Sequence, residues 1–213
     1  MSTRAQRRSR HERGYTVVEV MSAMTLFAIG AAGVISMQRA TIQGGDDARR
    51  MDIATNIANE WAFRLQRDAA FWTQPNSTVS TSNLGGNTKW LRNAPTSATG
   101  DSGWLLPPPD AVNYFGTSGA FDLFGRDLAT PGANNHIFCA QHRLSWITYP
   151  GGGASSARPL LKAEVRVFWR RLDEAPVGDC ATVATTDPAD PATKNKFHFV
   201  YLTTAVRPAS DSQ

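Results

Sequence analysis

A chain of 213 residues has room for one domain, or for a helix followed by one modest domain. Of its 22 basic and 18 acidic side chains, five arginines and one glutamate precede residue 14, so the remainder is neutral. A neutral remainder argues against a nucleic-acid partner, because a protein that binds nucleic acid usually carries a basic stripe. A local patch at Arg166, Arg170 and Arg171 stays open, although a solvated strand face explains these residues equally well.

The first predicted element is a membrane-spanning helix over residues 15–38, in which Glu19 is the only acidic or basic side chain. At about 1.5 Å per helical residue it is long enough to cross a hydrocarbon core of roughly 30 Å. The arginines before it hold the amino-terminal leader in the cytosol, so the rest of the chain crosses the membrane. A carboxylate inside such a segment is costly and usually marks function.

The junction between the basic leader and the apolar run is the candidate processing site. A secretory signal peptide is cut after its apolar region at a small-residue site, and the sequence offers none before residue 38. The one plausible junction is Gly14–Tyr15, where a cut removes the arginines and leaves the helix on the mature protein. An uncleaved membrane anchor with an accidental Gly-aromatic pair is the alternative.

Residues 14–19 read G-Y-T-V-V-E and resemble the class III signal of type IV pilins and pseudopilins, whose pattern is G-F-T-L-I-E. Tyr15 stands where the family has Phe, which keeps an aromatic ring at that position. The resemblance implies that a prepilin peptidase cuts after Gly14, removes the leader 1–14 and methylates the new amine of Tyr15. Residues 21–38 most resemble PilV-type minor pilins, and type II secretion pseudopilins share much of that pattern.

An amphipathic helix follows the apolar run. Its large apolar residues recur every fourth position, namely Ile53, Ile57, Trp61 and Leu65. Such a stripe packs on a core. We therefore predict one long helix from residue 15 to about residue 70, and the pilin resemblance favours its continuity. Two helices broken at Gly44–Gly45 are the alternative, because glycine lowers helix stability.

Residues 74–135 are rich in Ser, Thr, Asn, Gly and Pro and predict a loop-rich region. Large aromatic residues, which usually require burial, are spread through it: Trp90, Trp104, Tyr114, Phe115, Phe121 and Phe124. We expect an ordered region of short strands or turns packed on the core. Exposed aromatic residues that bind a partner are the alternative. Asp122 and Asp127 lack the ligand density of a calcium loop.

Three strand signals follow, over residues 141–149, 161–170 and 198–206, each with the alternation of a half-buried strand. They predict an antiparallel sheet, most simply a meander, within residues 138–208. This sheet covers the apolar stripe of the helix. The predicted fold class is α+β, a type IV pilin-like long helix packed on a small sheet. The head, 39–213, comprises the helix 39–70, the loop-rich region and the sheet.

Cys139 and Cys180 are the only cysteines, and both lie beyond the membrane helix. In an oxidising compartment a disulfide is the natural interpretation, and two buried free thiols are the alternative. Two Cys and four scattered His are too few for a metal site, so we expect no metal.

The sequence contains no nucleophile elbow, phosphate-binding loop, dinucleotide-binding glycine pattern or zinc-protease motif. His136, His142 and His198 have no fixed spacing to a nucleophile and are expected on strands or at the surface. We therefore expect no catalytic residue, no cofactor and no enzyme.

Together these features predict a minor type IV pilin, a structural subunit that helps to prime or cap pilus assembly in support of adhesion or twitching motility. In this interpretation the cationic amine of mature Tyr15 pairs with Glu19 of a neighbouring subunit, because an unpaired buried charge is strongly disfavoured. A minor pseudopilin of a type II secretion system and a monomeric bitopic envelope-binding protein are the alternatives.

The resemblance also implies partners and a location. The partners are other major and minor pilin subunits, the prepilin peptidase and the inner-membrane assembly platform, with a tip adhesin as a further candidate. The chain is expected in the bacterial inner membrane with a periplasmic head, and afterwards in the extracellular pilus.

Overall fold

The computed structural model describes residues 14–74, 81–107, 118–128, 136–150, 158–171, 180, 187–191 and 194–209. The elements follow in the order α1 (Val17–Asp68), a 3-10 turn (Ala69–Phe71), α2 (Thr81–Asn87), a 3-10 turn (Leu91–Asn93), β1 (Ala120–Phe121), β2 (Phe138–Thr148), β3 (Leu160–Arg170), a 3-10 turn (Lys194–Lys196) and β4 (Phe197–Val206). The predicted α+β class is confirmed, because a long amino-terminal helix precedes a four-stranded antiparallel sheet.

Helix α1 is a single helix of 52 residues. It passes through Gly44 and Gly45 without a break, so the prediction of one continuous helix is confirmed and the two-helix alternative is wrong. The chain divides into two compact units, residues 1–48 and 49–213, and the boundary between them lies within α1. The second unit contains the core.

The sheet is a meander in which each strand pairs antiparallel with the next along the chain. The three predicted strands are confirmed as β2, β3 and β4, and β1 is a two-residue addition. In the middle of the sheet, Val165 of β3 lies between His142 of β2 and Leu202 of β4. This register places alternate residues of the three long strands on one face.

The amphipathic half of α1 packs on that face of the sheet. Ile57, Trp61 and Leu65 are at most 3% exposed and share one core cluster with Leu144 and Val165 of the strands. Burial of each side chain of this size contributes roughly 1.5–3 kcal/mol to the stability of the folded state. The predicted stripe of the helix is therefore the helical wall of the core.

The opposite face of the sheet is also buried at its centre, so the expectation of a solvated strand face is wrong for Arg166, which is 1% exposed. Its Nε donates to Gln141 Oε1 at 2.7 Å, and a terminal nitrogen donates to Asp187 Oδ1 at 2.7 Å. Its guanidinium lies 4.2 Å from the ring centre of Trp104. Arg166 belongs to a buried network and not to an exposed basic patch.

The carboxylate of Asp68 ties the end of α1 to the loop-rich region. It is 4% exposed and accepts hydrogen bonds from the backbone N–H groups of Lys89, Trp90 and Leu91 at 2.7 to 3.1 Å. Donors at the start of a helical turn otherwise lack partners, so the carboxylate caps the 3-10 turn that follows. Trp90 is thereby held edge-on against Trp61, with ring centres 5.7 Å apart.

The predicted burial of the loop aromatics is confirmed for some residues and wrong for others. Trp90 and Phe121 are buried and Trp104 is half-buried, whereas Phe124 is 63% exposed. Two members of the set, Tyr114 and Phe115, lie outside the described residues. The region also contains the short helix α2, where the sequence predicts strands or turns.

Two carboxylates hold the segment 118–128 in place. Asp127 Oδ2 accepts a hydrogen bond from Arg64 of α1 at 2.7 Å, and Asp122 accepts the backbone N–H groups of Phe124 and Arg126. Burial raises the pKa of Asp127, and the bond from Arg64 offsets part of this rise. Both side chains are therefore engaged by the chain itself.

His142 is a buried histidine at the centre of the sheet, 1% exposed. Its Nε2 lies 3.2 Å from the carbonyl oxygen of Trp90, which assigns the ring proton to Nε2, and its Nδ1 has no hydrogen-bond partner among the described residues. Burial lowers the pKa of His142 to about 4, since a second ring proton would be a charge without an acceptor.

This histidine predicts a loss of stability in mild acid. An unfolded His142 takes up a proton as the pH falls through 6.5, whereas the folded one does so only near 4. The contribution of neutral, buried His142 to the free energy of unfolding is therefore fully present above pH 6.5 and is lost as the pH falls towards 4. The loss should reach about 3 kcal/mol of unfolding free energy.

The measurement is urea unfolding of the full chain in detergent at several pH values, monitored by Trp fluorescence. His142→Gln retains an N–H donor for the Trp90 carbonyl and does not titrate, so its unfolding free energy should fall less between neutral and acidic pH. An identical pH dependence in both proteins would contradict the assignment.

Candidate functional site

The predicted cleavage junction lies in an exposed, non-helical segment immediately before α1. Gly14 and Tyr15 precede the helix, and Tyr15 is 81% exposed. A Cβ on Gly14 would meet no atom within 4 Å, so the fold does not require a glycine there. The bond between the two residues is therefore accessible to an enzyme.

Thr16 caps the start of α1. Its hydroxyl oxygen accepts the backbone N–H of Glu19 at 3.3 Å, and its carbonyl oxygen accepts the N–H groups of Glu19 and Val20. The spacing T-x-x-E is that of a capping box, a signal that is legible in the sequence but that our interpretation of residues 14–19 did not use. Thr16 is thus a positioning residue that sequence reasoning missed.

Glu19 lies in the first turn of α1, where the positive end of the helix dipole favours an acid. Val20, Ala23, Met24 and Phe27 line an open concavity beside it. The arrangement offers one carboxylate on an apolar surface, within a turn of the residue that would become the amino terminus. Such a carboxylate can accept an amine that approaches from another molecule.

The apolar half of α1 exposes its large side chains. Twelve residues between 17 and 42 share this property: Val17, Val18, Val20, Met21, Met24, Leu26, Phe27, Ile29, Val34, Ile35, Met37 and Ile42. By length and composition, the stretch Val17–Phe71 contains a segment apolar enough to cross a membrane. Ser22, Thr25 and Ser36 donate their hydroxyls to helix carbonyls three residues back, which satisfies these polar groups without water.

Residues 9–35 match the family model for the prokaryotic N-terminal methylation motif. This match supports a type IV pilin-like protein with a class III signal peptide. The pilin-like signal implies processing by a prepilin peptidase and assembly with pilus or pseudopilus subunits. No curated protein and no solved structure matches the chain. The cut after Gly14 and the assembly role of Glu19 stay predictions.

Cys139 and Cys180 form a disulfide in this pilin-like head, across a sequence separation of 41 residues. Both cysteines are 0% exposed and cluster with Phe168 and Phe197 on the outer face of the sheet. The potential ligand atoms of His136 and the two cysteines lie within 4.8 Å of one another. The sulfur atoms are bonded to each other, which leaves the imidazole as the one donor of this group and gives no basis for a metal centre.

The disulfide predicts a measurable loss of stability on reduction. Closing a 41-residue separation removes chain entropy from the unfolded state. On the chain-entropy model, a disulfide that closes a loop of this size raises the free energy of unfolding by about 4 kcal/mol. Urea unfolding with and without a reductant should show a decrease of this order. The double variant Cys139→Ser with Cys180→Ser is the matched control, and its unfolding should not respond to the reductant. An equal unfolding free energy for the reduced and oxidised wild type would contradict the prediction.

Proposed function

We propose that this protein is a PilV-type minor type IV pilin, a structural subunit and not an enzyme. It is incorporated into the pilus and helps to prime or cap its assembly, in support of adhesion or twitching motility. The observation that carries the proposal is the methylation motif over 9–35, continuous with a helix whose apolar side chains are exposed around Glu19.

Processing would prepare the subunit for assembly. A prepilin peptidase removes the leader 1–14 and methylates the amine of Tyr15, which is cationic at neutral pH. Glu19 then lies four residues on, only about 6 Å along the helix axis. In a filament the amine of one subunit would meet Glu19 of its neighbour. Because either charge alone is strongly disfavoured in apolar surroundings, the pair would set the axial register of the helices.

The membrane stores the subunit before assembly. The leader is cytosolic, the apolar half of α1 spans the inner membrane and the head is periplasmic. On assembly the exposed apolar side chains exchange lipid for the helices of other subunits. The partners are major and minor pilin subunits, the prepilin peptidase, the assembly platform and, at the pilus tip, an adhesin.

Two observations favour a minor subunit. Residues 74–135 of the head are rich in Ser, Thr, Asn, Gly and Pro, and the helix most resembles PilV-type minor pilins. Retention of Glu19 fits a position beside another subunit's amine. Pseudopilins of type II secretion systems carry the same kind of signal, so a minor pseudopilin is the second candidate.

Processing predicts a defined mature amino terminus. Mass spectrometry of the protein purified from its native membrane should give an amino terminus at Tyr15 that carries one added methyl group. Gly14→Val should leave the leader in place, because the peptidase recognises the glycine, whereas Gly30→Val, which is equally unhindered, should be processed normally. A mature wild-type protein that retains its arginines would overturn the proposed function.

Assembly predicts that Glu19 is required after membrane insertion. Glu19→Ala and Glu19→Gln should lower the ratio of filament to membrane protein at least about tenfold, since each leaves an amine without its partner. Ser22→Ala removes a nearby polar group that is bonded to its own helix and should assemble normally. Sheared filaments and membranes are compared by immunoblot.

The same variants separate the alternatives. Loss from pili with intact membrane insertion supports a pilin, and loss of exoprotein secretion without a change in pili supports a pseudopilin. Filament incorporation unchanged by both Glu19 variants would refute an assembly role for this residue.

A further inference from the structure

Strand β4 forms an edge of the sheet and lacks the usual protection of an edge strand. Its ten residues, Phe197–Val206, include no Lys, Arg, Asp, Glu or Pro, and its register with β3 contains no bulge. Edge strands carry a row of unpaired N–H and C=O groups that can pair with another chain, and natural proteins block them with charges, prolines or bulges. A long, uncharged and regular edge is therefore suited to pairing.

The other edge of the sheet is covered by the chain itself. Asp101 and Leu105 form backbone bridges to β2, and β1 continues this cover. Leu105 exchanges two backbone hydrogen bonds with His142 at 2.8 and 3.0 Å. Within the described ranges, no residue pairs in this way with the outer edge of β4. In the part of the chain that the structure describes, the sheet is thus closed on one side and open on the other.

Charge at the ends of β4 disfavours a second copy of this chain as the occupant. Lys194 and Lys196 precede the strand, Arg207 follows it, and all three are exposed. In an antiparallel pair of two β4 strands, the lysines of each copy would face Arg207 of the other. In a parallel pair, identical residues would face each other. Both arrangements oppose like charges, which destabilises a strand pair.

A cleft beside the carboxyl end of β4 offers a place for an acidic side chain. It has a volume of about 490 Å³ and is lined by Gln66 and Ala70 of the helical segment and by Val206 and Arg207 of the strand end. Gln66 also donates a hydrogen bond to Thr204 of β4 at 2.8 Å, which fixes the helical wall beside the strand. Arg207 favours a carboxylate at this end of an incoming segment.

The outer face of β4 offers apolar contacts to alternate residues of such a segment. Tyr201 is 55% exposed, stacks on Phe199 with ring centres 5.8 Å apart and lies 6.1 Å from the ring of Trp104. A strand added at the edge would place every second side chain beside this row.

We propose that the outer edge of β4 binds an extended segment of a different protein by main-chain pairing, and that this segment is uncharged in its middle and acidic at both ends. Main-chain hydrogen bonds supply the affinity of such a complex, and side-chain contacts and end charges supply its specificity. The inference concerns the head alone and does not rest on the assembly role of Glu19.

Labelled peptides test the chemistry of the partner. The probe is a peptide of alternating Thr and Val with Glu at both ends, and its binding to the full chain in detergent is followed by fluorescence anisotropy. A matched peptide with Lys at both ends should bind at least about tenfold more weakly, since each opposed like-charge pair destabilises the strand pair. The acidic peptide with alternate backbone nitrogens methylated should not bind. Equal binding of all three peptides, or no binding of the acidic one, would overturn the proposal.

Hydrogen exchange locates the binding site. The acidic peptide should slow exchange of amides within Phe197–Val206, and protection confined to other segments would overturn the assignment to β4. The variant Lys194→Glu with Lys196→Glu should lose the preference for the acidic peptide. The control Arg49→Glu with Arg92→Glu makes the same change in net charge at exposed residues that do not flank β4, and it should retain the preference.

The same charge reversal tests why a second copy is excluded. In Lys194→Glu with Lys196→Glu, an antiparallel pair of β4 strands brings glutamates opposite Arg207, so this variant should dimerise through β4. The wild type and the Arg49→Glu, Arg92→Glu control should not, as measured by sedimentation in detergent with hydrogen exchange of β4. A wild-type dimer paired through β4 would overturn the choice of partner, and a reversed variant without self-association would overturn the open edge.

Discussion

Trp61 is the side chain at which the helix, the loops and the sheet of the head meet. Its ring contacts Trp90 edge-on, lies parallel to His142 with centres 6.4 Å apart, and has the guanidinium of Arg64 4.9 Å from its centre. Arg64 in turn binds Asp127, and the carbonyl of Trp90 binds His142. Because these contacts converge on one ring that is 1% exposed, burial of the helix stripe also sets the positions of the polar groups around it.

The two halves of α1 differ in what removes their apolar surface from water. Ile57 and Leu65, in the second half, are buried within the head, whereas Met24 and Phe27, in the first half, are exposed. The hydrophobic effect acts equally on both, so the first half requires lipid or other proteins as its surroundings. The proposed exchange of a membrane for a filament would meet this requirement in both places, and Glu19 is the charged side chain that both environments would have to accommodate.

Two ion pairs link charged residues of the strands to other parts of the head. Arg143 lies 2.6 Å from Glu164 across neighbouring strands, and Arg166 binds Asp187. Burial opposes ionisation of Glu164, but hydrogen bonds from Lys162 and Arg143 outweigh it and lower the pKa of this carboxyl. These paired charges are not free for a partner, and the proposed recognition at β4 uses backbone geometry and the exposed charges Lys194, Lys196 and Arg207 at the strand ends. The edge of β4 combines both.

The sequence alone determined the signal at residues 14–19, the apolar and amphipathic helical segments and the three strands, because each depends on neighbouring residues: a motif, an apolar run, a recurrence every fourth residue or an alternation of two. The cap at Thr16 was equally local and available. The continuity of the helix through Gly44 and Gly45 was favoured only by the pilin resemblance. Only the tertiary structure decided that Arg166 is buried, since its contacts Trp104 and Asp187 are distant from it in sequence. It also decided that one sheet edge is covered and that no described residue pairs with the other. Burial and strand pairing depend on which distant segments contact each other, and the local periodicity of the sequence does not specify those contacts.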